Sequence, residues 1–219
     1  MKTVYFVRHG ESEANVGHPI FQGETSNLTA RGKEQARVIA DRCKRLDFDI
    51  LISSPTARAR ATAEHISSAT GKPIVFEELF TERKIPSGLV GLPMKDPKAD
   101  EVFKRWEQSL FDPNIRVEDS ENFLDIKARA EQALKYLEGR RESRIVVVSH
   151  GFFLRTILAR ILFGEALSPQ ELKTIISTFR TSNTGLTLTQ YEPEEATESW
   201  GIPQNSWVIR AWNYHAHLG

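Results

Sequence analysis

The segment RIVVVS at 144–149 is apolar at four consecutive positions. A strand with one wet face alternates apolar and polar residues. An unbroken run of this kind needs cover on both faces, as inside a parallel sheet flanked by helices. Five further runs are β-rich: TVYFV at 3–7, DILIS at 49–53, IVF at 74–76, GLTLTQY at 185–191 and WVIRAW at 207–212. Helical patterns lie between them. LTARGKEQARVIADRCKRL offers Thr29 as N-cap and sets Ala36, Ile39, Ala40 and Cys43 on one face. SPTARARATAEHIS offers Ser54 as cap, with Pro55 at the first helical position. SENFLDIKARAEQALKYLE opens at Ser120 and carries Phe123, Ile126, Ala130 and Leu134 at helical spacing, and GFFLRTILARILF is apolar nearly all round, which predicts a buried helix. Strands alternating with helices predict an α/β fold, a three-layer α/β/α sandwich around a mostly parallel sheet. The stretch 84–119 breaks the rhythm with Pro86, Gly88, Gly91, Pro93, Pro97 and Pro113, and holds one helix near DEVFKRWEQSL. It reads as an inserted lid on a single domain spanning 1–219, and EPEEATESWGIPQNS reads as an exposed loop.

Composition narrows the function classes. A chain of 219 residues can bury a core without staples. Lys plus Arg total 29 and Asp plus Glu total 29, a zero balance that argues against a bulk nucleic-acid partner and against electrostatic membrane binding. The single cysteine, Cys43, excludes an internal disulfide framework and a multi-cysteine zinc site, and its place on an apolar helix face reads as a packed thiol. The opening MKTVYFVRHG has too short an apolar run for a signal-peptide core, and no stretch approaches the ~18 apolar residues of a membrane span. The expectation is a soluble, cytoplasmic protein with no membrane partner.

Two β–α junctions repeat one design. VYFVRHG is a strand ending in Arg8-His9-Gly10, and IVVVSHG is a strand ending in Ser149-His150-Gly151. The carboxyl ends of parallel strands line the ligand crevice, so adjacent parallel strands would bring His9 and His150 together. A glycine after each histidine permits close backbone approach to a ligand, and a helix beginning near Gly151 would aim free N–H groups at an anion. DILISSPTARARATAE adds Arg58 and Arg60 in the first turns of a third helix. Forked donors from Arg8 and Arg58 suit one phosphate, and a neutral imidazole can attack phosphorus without a metal. Each piece alone has a plainer reading: a strand-end histidine packed structurally, an early-helix arginine in solvent. Three junctions presenting anion-binding groups outweigh those readings.

RHGESEAN, FQGETSNLTARGKEQA, SSPTARARATAE and SHGFFLR, in this order, resemble the histidine phosphatase superfamily, and the ending WVIRAWNYHAHL is similar to the close of many members. The resemblance implies that His9 is the nucleophile that becomes phosphohistidine. It implies that Arg8 and Arg58 bind phosphate and that His150 contacts the phosphoryl oxygens. It further implies pocket roles for Asn15, Gln22 and Gly23, and a backbone N–H from Gly151. Glu82, in LFTERKIPSGLVG, matches the acid that protonates the leaving oxygen and later activates water. Chemistry asks for such a group, because an alkoxide leaves poorly near neutral pH. The implied activity is a metal-independent phosphatase acting on a small phosphorylated metabolite, with no cofactor.

The alternative within the resemblance is phosphoglycerate mutase-type transfer between positions of a sugar-acid phosphate. Three departures weigh against it. Mutases usually carry Tyr a few residues after the Glu-Arg pair, where this chain has Lys84, Ile85 and Pro86. They usually place an asparagine after the second His-Gly, where Phe152 and Phe153 follow here. They carry paired arginines in the insertion, and Lys104-Arg105 reads instead as a solvated helix face. These departures suit a pocket lined partly by Phe103, Trp106 or Phe111, whose plainer reading is lid core. A non-catalytic phospho-ligand binding module on the same fold is a further alternative, which the presence of both His9 and Glu82 opposes. His215 and His217 are spaced to share a face if extended, but no further ligand cluster joins them, so no metal site is expected. His18 and His65 read as loop and helix-surface residues.

Overall fold

The computed structural model describes residues 1–17, 21, 23–192 and 207–218. Six strands form one sheet: β1 (Lys2–Arg8), β2 (Ile50–Ser53), β3 (Ile74–Phe76), β4 (Arg144–Ser149), β5 (Leu186–Tyr191) and β6 (Trp207–Tyr214). Their spatial order is β3-β2-β4-β1-β5-β6. The first four run parallel, β5 pairs antiparallel with β1, and β6 antiparallel with β5. Among the described residues the α-helices are α1 (Ala30–Cys43), α2 (Ala57–Thr70), α3 (Pro97–Gln108), α4 (Phe123–Gly139), α5 (Gly151–Phe163) and α6 (Pro169–Thr178).

The apolar run of β4 explains the layering. Ile145 and Val147 enter one core with α4, α5 and α6, while Val146 and Val148 enter the opposite core with α1 and α2. Val4 and Phe6 against Val7, and Ile50 and Ile52 against Leu51, repeat this alternation on β1 and β2. The result is the expected three-layer α/β/α sandwich around a mostly parallel sheet. Helix α5 is buried as predicted, with Phe153 wholly inaccessible and Leu154, Ile157 and Leu158 nearly so. Each such side chain contributes about 1.5–3 kcal/mol by leaving water.

Helix starts differ from the sequence reading. α2 begins at Ala57 with Thr56 as N-cap, not at Ser54; the hydroxyls of both residues turn to His150. α4 begins at Phe123, not Ser120: the Asn122 side chain accepts from Leu124 and Asp125 N–H while the Asp125 side chain accepts from Asn122 N–H. α3 begins at Pro97, earlier than DEVFKRWEQSL implied, capped by Asp96. α6 went unread in the sequence, although Ser168, Pro169 and Glu171 form a capping box at its start. The stretch 84–119 has a small core of its own, where Phe103 and Val102 pack against Phe21, Leu89 and Ala99. The segment EPEEATESWGIPQNS lies almost entirely outside the described residues. Among the described residues no helix is long and apolar enough to cross a membrane.

Candidate active site

β1 and β4 are parallel neighbours with Arg8 opposite Ser149, so His9 and His150 leave the sheet side by side, ring centroids 5.0 Å apart. Both are buried. Nδ1 of His9 lies 2.7 Å from the Gly10 carbonyl, which can only accept; the proton therefore sits on Nδ1 and Nε2 keeps its lone pair. Arg58 Nε–H donates to that Nε2 at 3.2 Å. Burial, then the charges of Arg58 and Arg8, hold the His9 pKa well below the ordinary histidine value. Nε2 of His150 meets Ser54 Oγ at 2.9 Å and Thr56 Oγ1 at 3.2 Å. Burial first, then Arg58 and His9, push its pKa down as well. Both imidazoles are neutral.

Arg8 donates from Nη1 to the Thr181 carbonyl at 2.6 Å. Its Nε, like Nδ1 of His150, is buried without a hydrogen-bond partner among the described residues. Buried polar groups are ordinarily satisfied, so two orphans in one cluster mark a place built for a further polar group. The glycines have a different reason from the expected close approach to ligand. A Cβ on Gly151 would sit 2.7 Å from Thr181 Oγ1 and 3.1 Å from Arg8 Nε; a Cβ on Gly10 would sit 2.5 Å from the Gly32 carbonyl. Gly151 makes room for Arg8, and Gly10 for the start of α1. Gly10 N–H donates to Thr62 Oγ1, which in turn donates to the Arg58 carbonyl, tying the His9 turn to α2.

Glu82 follows the short turn Glu78–Phe80, whose Phe80 carbonyl accepts from Ser149 Oγ at 2.7 Å. Its Oε1 accepts from Phe153 N–H and Arg83 N–H, both at 3.0 Å, and its Oε2 from Phe152 N–H at 3.2 Å. The N-terminus of α5 thus engages an acidic side chain of the chain itself, that of Glu82. Beside it opens a cavity of about 330 Å³ lined by residues including Thr56, Arg58, Glu82, Arg83, Ile85 and Val90.

The structure brings Arg8, His9, Arg58, Glu82, His150 and Gly151 together. Gly23 also lines the cavity, and its carbonyl accepts from Arg58 Nη1 at 3.3 Å. Asn15 is exposed; its Oδ1 accepts from Asn183 Nδ2, which also donates to the His9 carbonyl. Gln22 and His18 lie outside the described residues. Of the two readings of the aromatics, pocket lining and lid core, the structure excludes the lining: Phe103 meets Phe21 and Trp106 in tilted contacts, Trp106 lies under Arg83, and Phe111 faces Lys173 at the surface. Phe103 packs within the 84–119 stretch, and the apolar lining of the cavity comes from Ile85 and Val90. Lys104 forms an exposed pair with Asp100, the solvated face expected. Cys43 is a buried thiol whose pKa burial pushes up to about 12. Among the described residues no group of three His, Cys, Asp or Glu could hold a metal ion. The sequence reading missed Ser54, Thr56, Thr62, Thr181 and Asn183. Three of these stand in SSPTARARATAE, but small hydroxyls carry no spacing signature.

The family model of the histidine phosphatase superfamily (branch 1) matches residues 4–201. The chain belongs to this superfamily. Among curated proteins it is 32% identical over 176 residues to a probable phosphoglycerate mutase GpmB of Escherichia coli O1:K1 / APEC, covering 79% of this chain and 80% of that one. Among solved structures it resembles Bacillus stearothermophilus YhfR, with a TM-score of 0.79, 22% identity and full coverage of both chains. It also resembles an Entamoeba histolytica phosphoserine phosphatase mutant crystallised with phosphoserine, with a TM-score of 0.73, 25% identity and full coverage of both. In this histidine phosphatase His150, Arg58, Thr56 and Arg83 make up a metal-independent phosphatase-type active site, and the His/Arg arrangement is that of a hydrolase of the superfamily.

Proposed function

We propose that the chain hydrolyses small phosphomonoesters through a phosphohistidine on Nε2 of His9. The observation that carries this is the unprotonated Nε2, fixed by the Nδ1–H bond to Gly10 and faced by Arg58. The phosphoryl group would enter between them, taking over the Arg58 Nε–H and the unpartnered Arg8 Nε–H. Nε2 attacks phosphorus and the P–O bond to the alcohol breaks, with the proton for the leaving oxygen coming from Glu82. Water then attacks phosphorus and gives its proton to Glu82, the P–N bond breaks, and inorganic phosphate leaves. Arg8, Arg58 and His150 stabilise charge on the equatorial oxygens without reorganising. Gly151 offers a backbone N–H at the same place, and Gly23, with Asn15 on a flanking loop, bounds the site. The insertion at 84–119 acts as the lid of a single domain.

A mutase reading draws on the name of the E. coli relative. Moving phosphate along a sugar acid asks for a second anion site. Beyond Arg58 the cations lining the cavity are Arg83 and Lys84. Arg83 directs Nε and Nη2 to Glu121 O, Trp106 O and Ser109 Oγ, and Lys84 is paired with Asp119 at 2.8 Å. This favours hydrolysis of esters with one phosphate. The test is phosphate release from p-nitrophenyl phosphate in excess EDTA, with acid-labile, base-stable phosphoenzyme trapped by rapid quench. Release and trapped label that both vanish in His9→Ala are expected. Release that survives in His9→Ala would overturn the assignment. Interconversion of phosphoglycerates without phosphate release would favour the mutase.

A further inference from the structure

Glu82 sits on an irregular segment, and a proton donor is useful only if held within hydrogen-bond reach of the leaving oxygen. What holds that segment is a guanidinium behind it. Arg129, on α4, is largely buried, and all five of its N–H groups are engaged. Nε and Nη2 form a forked pair with Glu121 at 2.6 and 2.8 Å. Nη1 donates to the carbonyls of Leu79 and Thr81 at 3.0 and 2.8 Å, and Nη2 also to that of Glu82 at 3.3 Å. The guanidinium lies 4.1 Å over the ring of Phe153, whose own N–H holds the Glu82 carboxylate. Glu121 completes the frame: its Oε2 accepts from Lys84 N–H at 2.9 Å and its carbonyl from Arg83 Nε at 3.0 Å. The backbone on both sides of Glu82 is thus pinned from behind, while α5 grips the carboxylate in front.

We propose that the Arg129–Glu121 pair is a positioning device that sets Glu82 against the leaving oxygen. The proposal rests on the assignment of Glu82 as proton donor. Neither residue touches substrate. A lysine at 129 keeps the charge but loses the fork that spans three carbonyls and a carboxylate.

The experiment compares kcat/KM for p-nitrophenyl phosphate, whose phenolate leaves without help, and for an alkyl phosphate, whose alkoxide needs a proton. This parameter reports the steps up to alcohol release. Glu82→Gln, Arg129→Lys and Glu121→Gln are each measured, with folding checked by circular dichroism. Glu82→Gln is expected to lower the alkyl value about 100-fold or more and the aryl value far less. Arg129→Lys and Glu121→Gln are expected to show the same selectivity at about 10-fold. Equal losses on both substrates, or no loss on either, in the two frame variants beside a selective Glu82→Gln would overturn the positioning role alone. An unselective Glu82→Gln would overturn the acid assignment, and the positioning role with it.

Discussion

The tautomer of His9, the nucleophile we propose, is set by a single contact, the Nδ1–H bond to the carbonyl of Gly10. The sequence placed His9 and His150 at strand ends but could not show that both would be buried and neutral. That burial has a consequence for pH. Both native pKa values are depressed, so below the ordinary histidine pKa of about 6.5 the unfolded chain takes up protons that the native site refuses. Stability is therefore full above that pH and is lost as pH falls below it. Each histidine adds up to about 1.4 kcal/mol of loss per pH unit. Urea unfolding at pH 7, 6 and 5 should show this slope, and His9→Asn should remove one histidine's share; an unchanged slope in the variant would count against it. Gly151 carries a second consequence. Its missing side chain is the space Arg8 Nε and Thr181 Oγ1 occupy, so Gly151→Ala should displace the Arg8 fork. A lowering of kcat/KM by about 10-fold or more is expected, since small misplacements cost that much. The melting temperature should barely move, because the displaced atoms belong to side chains, and an active enzyme with normal kcat/KM would refute the reading.

At the level of elements, what could be read from the chain was whatever period and burial dictate. The unbroken apolar run of β4 and the all-round apolar α5 needed no tertiary information, because a segment with no polar face has to be covered. Helix starts were less legible. By type Ser54 is the better cap, yet the helix starts after Thr56, and both hydroxyls face His150, distant in sequence, instead of capping the helix. The start of α4 was misplaced for a related reason: Ser120 and Asn122 both suit a cap, and only the reciprocal bond with Asp125 selects Asn122. The N-terminus of α5 was read as aiming free N–H groups at a ligand, and the structure shows two of them engaged by a side chain. That side chain is Glu82, brought there from the segment after β3 by packing that no local pattern encodes.

On the scale of the whole molecule, the 84–119 stretch, which we propose as an inserted lid, is joined to the Glu82 segment through Arg83. Its guanidinium lies 4.0 Å from the Trp106 ring, donates to Trp106 O and Ser109 Oγ on one side, and to Glu121 O on the other. Trp106 also donates from Nε1 to the Lys84 carbonyl. Trp106→Ala should therefore loosen the insertion over the cavity. It should raise KM several-fold and lower stability by roughly 1 kcal/mol, measured by steady-state kinetics and urea unfolding; unchanged KM in a destabilised variant would mean the insertion does not bound the substrate. The amino-acid sequence by itself determined the layered α/β class and the sites at the ends of β1 and β4, because hydrophobic period and strand-end chemistry are local properties. Tertiary structure alone decided which nitrogen of His9 is free, which apolar side chains line the cavity, and what holds Glu82. Those depend on contacts between segments far apart in the chain, such as Arg129 with the 79–82 carbonyls, and a hydrogen-bond partner has no signature in residue order.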